Sequence, residues 1–85
     1  MADTFHLKVV GPERLFVDEA VSEAQIPALD GYIGVLPGHA SLMSELQPEA
    51  VLSYVAGGKT HSLTVRGGFV EVLPEMTRVL AESVE

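Results

Sequence analysis

The chain has 85 residues, of which 12 are acidic and five basic, giving a formal net charge of −7. This length predicts a single domain spanning residues 1–85, and the acidic balance argues against nucleic acid as a partner because it repels phosphate backbones. Cysteine is absent, which excludes disulfides and thiolate metal ligands, and no apolar run approaches the ~20 residues that a membrane-spanning helix needs.

Alternation of apolar and polar residues predicts short β-strands along most of the chain, and no segment keeps a helical period. We expect inward-facing side chains at Ala24 and Ile26, and we expect Pro27 to end their strand. In the first half, strands are predicted at residues 5–9, 15–17, 21–26 and 32–35, and residues 42–46 are ambiguous between a short strand and a loop.

A hairpin is the clearest unit of the second half. Residues 50–56 and 59–66 flank Gly57-Gly58, a two-residue turn suited to a primed turn type. The turn fixes the register of three cross-strand pairs: Tyr54 with His61, Leu52 with Leu63, and Ala50 with Val65.

A second hairpin is predicted to join residues 69–73 to residues 78–81 through a four-residue loop at 74–77. This loop would place Val72 opposite Val79 and Val70 opposite Ala81. The Gly67-Gly68 pair before it is expected to let the chain bend from one sheet to another. Short strands at this spacing, with turn signals between them, predict an all-β sandwich or barrel.

Candidate chemistry is sparse. His6, His39 and His61 show no metal-ligand spacing, and the spacing of the glycines between Gly31 and Gly38 matches no phosphate-binding loop, so we expect neither a metal nor a cofactor. His39 with Ser41 and Asp30 would form a hydrolase set only if folding brought them together, and no nucleophile elbow supports it. The alternative for His39 is an imidazole bonded to loop backbone after the Pro37-Gly38 turn.

Binding through the surface is the remaining possibility. Residues 27–32 place Leu29 and Tyr32 beside one carboxylate, Asp30, which is a plausible interface composition. The alternative is an ordinary turn with Asp30 and Gly31 at its tip.

The glycine-rich run from Gly31 to Leu42, with Pro37-Gly38-His39-Ala40 inside it, resembles the signature of the epsilon subunit of the rotary proton-translocating ATP synthase. That subunit is called delta in mitochondria. Residues 5–10 resemble the family's opening strand, and residues 67–72 with 79–81 resemble its closing hairpin. The likeness extends over nearly the whole chain without an evident gap.

The resemblance implies a flattened antiparallel β-sandwich of two five-stranded sheets, and within these 85 residues we expect no C-terminal helical hairpin. It implies a non-catalytic central-stalk subunit that binds the gamma subunit and the c-ring, so that proton flow is coupled to ATP synthesis. Such a subunit is a monomer when isolated. In the assembled enzyme it is peripheral, at the cytoplasmic face of the bacterial inner membrane, without inserting into the bilayer.

Carried over position by position, the resemblance also implies two contact regions. The c-ring interface would comprise Ala28, Leu29, Asp30, Gly31 and Tyr32, with Asp30 pairing with an arginine of the c-ring. The gamma-subunit interface would comprise Pro37, Gly38, His39, Ala40 and Met43. The family usually continues into two C-terminal helices that inhibit ATP hydrolysis, and we do not expect these 85 residues to carry that role. The alternatives are a β-sandwich adaptor of another assembly and a small hydrolase that uses His39.

Overall fold

The structure, a computed structural model, describes residues 3–85, and these residues form strands and turns without any helix. The all-β expectation is therefore confirmed. This part of the chain contains no helix that is long and apolar enough to cross a membrane. The strands are β1 (Phe5–Val10), β2 (Leu15–Val21), β3 (Glu23–Ala28), β4 (Gly31–Val35), β5 (Leu42–Glu45), β6 (Ala50–Ala56), β7 (Lys59–Val72) and β8 (Met76–Val84).

The strands share one hydrogen-bonded sheet in the order β2-β1-β8-β7-β6-β3-β4, and β5 pairs with β7 beside this path. The pairs are antiparallel except for β1 with β8, which run parallel. Two separate five-stranded sheets are not confirmed, because the long strands β7 and β8 carry the hydrogen bonds continuously from one half of the sheet to the other.

One face of every strand contributes to the core, β5 through the half-buried Leu42, and Leu46, just past β5, is buried in it. In β1, Phe5, Leu7 and Val9 are buried while the residues between them are half-buried, which is the period-two pattern of a sheet with one covered face. Ala24 and Ile26 face the same core, as the sequence predicts. Residues from both ends of the sheet belong to this one cluster, so the sheet folds over on itself and closes around its apolar side chains.

The β6–β7 hairpin confirms the predicted register. Tyr54 lies opposite His61, and the other two predicted pairs are also present. Gly57 and Gly58 have φ values of 59° and 77°, in the left-handed region that glycine adopts without strain. The two-residue turn therefore follows directly from the sequence.

The second hairpin corrects the prediction. Val72 lies opposite Thr77, and Val70 lies opposite Val79, because the turn has only two central residues, Pro74 and Glu75, and is closed by a hydrogen bond from Leu73 to Met76. The register therefore differs by two residues from the expected one. Each side chain still faces the predicted side of the sheet, since that orientation repeats every two residues.

Three predicted strand ends are also wrong. Strand β7 runs unbroken through Gly67 and Gly68, where the predicted strand ended, and a Cβ atom on Gly68 would overlap the carbonyl oxygen of Leu80. Strand β3 continues through Pro27 to Ala28, because the carbonyl of Pro27 accepts a hydrogen bond from the Gln47 amide and so keeps the strand paired. Strand β2 is also longer than predicted and reaches Val21.

Candidate functional site

The first predicted contact region is the turn between β3 and β4. Ala28 pairs with Gly31, which leaves Leu29 and Asp30 as the two exposed residues at its tip. Gly31 has a φ of 137°, a conformation that L side chains rarely adopt, so a glycine is required where the chain re-enters the sheet. Ala28 is only 4% exposed, and its side chain belongs to the core instead of the contact surface.

The turn is tied to the neighbouring chain segment by three hydrogen bonds. The amide of Leu29 donates to the carbonyl of Glu45 over 2.8 Å, and the amide of Gln47 donates to the carbonyl of Pro27 over 3.0 Å. The side-chain amide of Gln47 also donates to the carbonyl of Ala28 over 3.0 Å, at a half-buried position. Asp30 is therefore presented to solvent on a well-supported backbone.

Tyr32 is 52% exposed, and its hydroxyl donates to the carbonyl of Val51 over 2.7 Å. Strand β3 lies between Tyr32 and Val51, so the side chain of Tyr32 crosses that strand at the level of Pro27, its register partner. Pro27 is fully buried although its neighbour Ile26 faces the core, so Pro27 points to the outer face, where its register partner Tyr32 also lies.

The second predicted region is the loop between β4 and β5. The amide of His39 donates to the carbonyl of Leu36, and Gly38 has a φ of 83°, so Pro37 and Gly38 form the type II turn that the sequence predicts. The amide of Gly38 donates to the carbonyl of Pro74 and holds this loop against the β7–β8 turn.

His39 is half-buried, and its Nδ1 lies 2.6 Å from the carbonyl oxygen of Ala40. The imidazole thus bonds loop backbone after the turn, as in the simpler of the two interpretations. Asp30 comes just before β4 and His39 comes after it, and a strand of five residues is about 16 Å long. The structure does not bring Asp30 to His39, so the hydrolase set is not assembled.

Met43 is 69% exposed on β5, and the structure places two residues beside it that the sequence analysis missed. Phe69 is 53% exposed and Leu80 is 48% exposed, and with Met43 they line an apolar cleft of about 330 Å³ on the outer face of β5, β7 and β8. We call Met43, Phe69 and Leu80 the apolar patch. The outward position of Phe69, next to the buried Val70, was the available sequence signal.

Charged side chains border the apolar patch. Arg78 and Glu71 form an ion pair of 3.4 Å beside it, and Phe69 and Leu80 also line a neighbouring cleft of about 550 Å³ that includes Glu45 and Glu82. The border is therefore mainly acidic. Large exposed apolar side chains with a polar rim are typical of protein-protein interfaces.

Within residues 3–85, no group of three or more His, Asp or Glu side chains is arranged to hold a metal ion. His6 pairs with Asp18 on the outer face of β1 and β2, and His61 stacks on Tyr54 with ring centres 5.2 Å apart. Both histidines are thus accounted for by contacts with neighbouring side chains.

Residues 4–85 match the model of the family described as ATP synthase, Delta/Epsilon chain, beta-sandwich domain. The chain belongs to this family. The resemblance in the glycine-rich run is thereby confirmed, as is the sandwich architecture that it implies.

Bacterial members of the delta/epsilon family are similar over the full chain. The "ATP synthase epsilon chain" of Solibacter usitatus is 49% identical over 85 residues, and that of Koribacter versatilis is 45% identical over 85 residues. The chain covers 63% and 59% of the length of these two relatives, so it corresponds to somewhat less than two thirds of each.

Two solved structures share the fold at low sequence identity. A chain of the Euglena gracilis mitochondrial ATP synthase superposes with a TM-score of 0.91 at 23% identity, and 100% of this chain covers 54% of it. A chain of the Tetrahymena thermophila mitochondrial ATP synthase, from its central stalk and c-ring, gives 0.79 at 10% identity, with 95% and 65% coverage. The fold of this chain is therefore shared by proteins whose sequences differ widely from it.

Proposed function

We propose that this chain is the β-sandwich domain of a non-catalytic central-stalk subunit of a proton-translocating ATP synthase, and that it binds the gamma subunit and the c-ring. The observation that supports this most directly is the placement of the two contact regions. Strand β4 separates the Asp30 turn from the Pro37–Ala40 loop, so the regions lie at opposite ends of one strand. A close-packed core joins them, as a part that transmits torque between two partners requires.

The c-ring contact is proposed at the Asp30 turn. Leu29 offers exposed apolar surface next to Asp30 at the tip, and the half-exposed Tyr32 adds apolar surface two residues further along, on the outer face of β4. A carboxylate at the tip of an ordered turn suits a charge-assisted hydrogen bond with an arginine on a loop of the c-ring. Ala28 is buried, and we place it beneath this contact as support.

The gamma contact is proposed at the Pro37–Ala40 loop and the apolar patch that follows it along the chain. Met43 connects the two, since it belongs to the apolar patch and lies on strand β5, three residues after Ala40. Burying Phe69 and Leu80 would supply most of the affinity, because large apolar side chains at the centre of an interface dominate its energetics. The acidic rim of Glu45 and Glu82 fits basic side chains on gamma.

In this role the chain has no catalytic residue and needs no cofactor. Its contribution to ATP synthesis is to fix the stalk to the c-ring, so that proton-driven rotation reaches the catalytic head. The protein would lie at the cytoplasmic face of the bacterial membrane as a peripheral part of the enzyme.

Co-elution with a cognate gamma subunit tests the gamma contact. We expect a one-to-one complex at micromolar concentration, and Phe69→Ser is expected to weaken it by about tenfold or more. Val51→Ser is the matched control, since Val51 is 49% exposed but lies on β6, away from the apolar patch. Two folded proteins that do not associate would argue strongly against the proposal.

Proton pumping by the reconstituted enzyme tests the c-ring contact. Asp30→Arg places a cation against the arginine proposed on the c-ring, so coupling of ATP hydrolysis to pumping should fall while the domain stays folded. Asp30→Asn should have a smaller effect, because it removes attraction without adding repulsion. Unchanged pumping in Asp30→Arg would exclude Asp30 from the interface.

A further inference from the structure

We infer that Tyr32 and Gln47 are positioning residues that hold the Asp30 turn in one conformation for docking on the c-ring. This inference rests on the proposed function of the turn. Neither side chain lies at the tip, where Leu29 and Asp30 are exposed. The two side chains act from opposite sides: Gln47 from the chain segment beyond β5, and Tyr32 from β4 across the outer face.

Gln47 donates hydrogen bonds from two of its groups to two adjacent backbone carbonyls. Its backbone amide donates to Pro27 over 3.0 Å, and its side-chain amide donates to Ala28 over 3.0 Å. These carbonyls belong to the last two residues before the turn, so the orientation of the chain entering the turn is fixed twice. An apolar side chain at position 47 would keep the first bond and lose the second.

Tyr32 acts on the chain leaving the turn. Strand β3 pairs with β6 only from Glu23 to Gln25, and beyond that point it pairs with Leu46 and Gln47 instead. The hydroxyl of Tyr32 reaches across this change of partner and donates to the carbonyl of Val51, just past the end of the β3–β6 ladder. It thereby links β4 to β6 over the buried Pro27.

These ties matter because β4 lies at one edge of the sheet described for residues 3–85. An edge strand is hydrogen-bonded along one side only, and such elements open locally more easily than central strands. A turn that is ordered before binding loses less conformational entropy on docking. Loss of one such hydrogen bond is expected to weaken c-ring binding by about twofold to tenfold.

The test measures binding of the full 85-residue chain to a purified c-ring in lipid nanodiscs. The variants are Tyr32→Phe, which removes only the hydroxyl, and Gln47→Met, which removes the side-chain donor and keeps the length. The matched control is Tyr54→Phe, since Tyr54 stacks on His61 elsewhere in the sheet. Circular dichroism confirms that each variant is folded.

Two further readouts separate positioning from general stability. Amide hydrogen exchange at Leu29 and Gly31 should accelerate in both variants, while exchange in the β6–β7 hairpin stays unchanged. Tyr32→Phe should also weaken c-ring binding much less when Asp30 is already replaced by Asn. The effects of the two substitutions on affinity are not additive if Tyr32 acts through the Asp30 turn.

The outcomes distinguish this inference from the proposed function. If Asp30→Asn weakens binding while Tyr32→Phe and Gln47→Met change neither affinity nor exchange, the positioning role is refuted and the c-ring contact stands. If the unmodified chain does not bind the c-ring, the proposed contact is refuted, and with it the docking role of the two residues. Faster exchange confined to the turn, together with weaker binding, supports both.

Discussion

Thr77 is the polar side chain that the core accommodates least well. It lies on β8 between Leu7 on β1 and Val72 on β7, is 0% exposed, and its hydroxyl has no hydrogen-bond partner among the described residues. Replacing it by valine exchanges the unpaired hydroxyl for a methyl group of nearly the same shape. We therefore expect Thr77→Val to stabilise the domain.

The magnitude follows from the cost of a buried unpaired hydroxyl, which is about 1–3 kcal/mol in proteins. Small steric differences at a close-packed site offset part of this gain, so we expect the free energy of unfolding to rise by about 1–2 kcal/mol. In a domain of this size, each 1 kcal/mol raises the melting temperature by roughly 4–8 °C.

Urea unfolding followed by circular dichroism measures the effect, with the midpoint rising at constant slope. Thr60→Val is the matched control: Thr60 is exposed beside the β6–β7 turn, and its replacement should change stability by no more than about 0.5 kcal/mol. A loss of stability in Thr77→Val would refute the reasoning, because it would show that the hydroxyl makes a hydrogen bond in the native state.

Two further predictions concern backbone and charge. Gly68→Ala should destabilise the domain by about 3 kcal/mol or more in the same urea assay, because the φ of 111° and the carbonyl of Leu80 exclude a Cβ atom. Gly57→Asn is the control: a side chain at Gly57 would enter open space, so this change should cost less than about 1 kcal/mol. Burial raises the pKa of the Tyr54 phenol above its usual 10.0, and the nearby Glu19 carboxylate raises it further. The native state therefore holds this proton more tightly than the unfolded state, so stability should fall as the pH rises above 10, and Tyr54→Phe should lack that part of the fall. Equal alkaline slopes in the two proteins would contradict the assignment.

Prediction from sequence succeeded where neighbouring residues decide the structure. The Gly57-Gly58 pair fixes both the turn and the register of its hairpin, because those dihedral angles are open to glycine and the strands on either side must then pair. The Pro37-Gly38 turn follows in the same way. The candidate contact residues came from the resemblance to the family, and their partners remain proposals.

The sequence by itself thus determined an all-β chain, the inward face of its strands and its glycine turns, because side-chain alternation and allowed dihedral angles are local properties. Only the tertiary structure decided the parallel pairing of β1 with β8, the continuity of β7 through Gly67, and the meeting of Met43 with Phe69 and Leu80. Those features depend on how a sheet that folds over on itself buries the most apolar surface while pairing its backbone. Burial and backbone pairing depend on contacts between residues far apart in the chain, so no short segment of the sequence predicts these features.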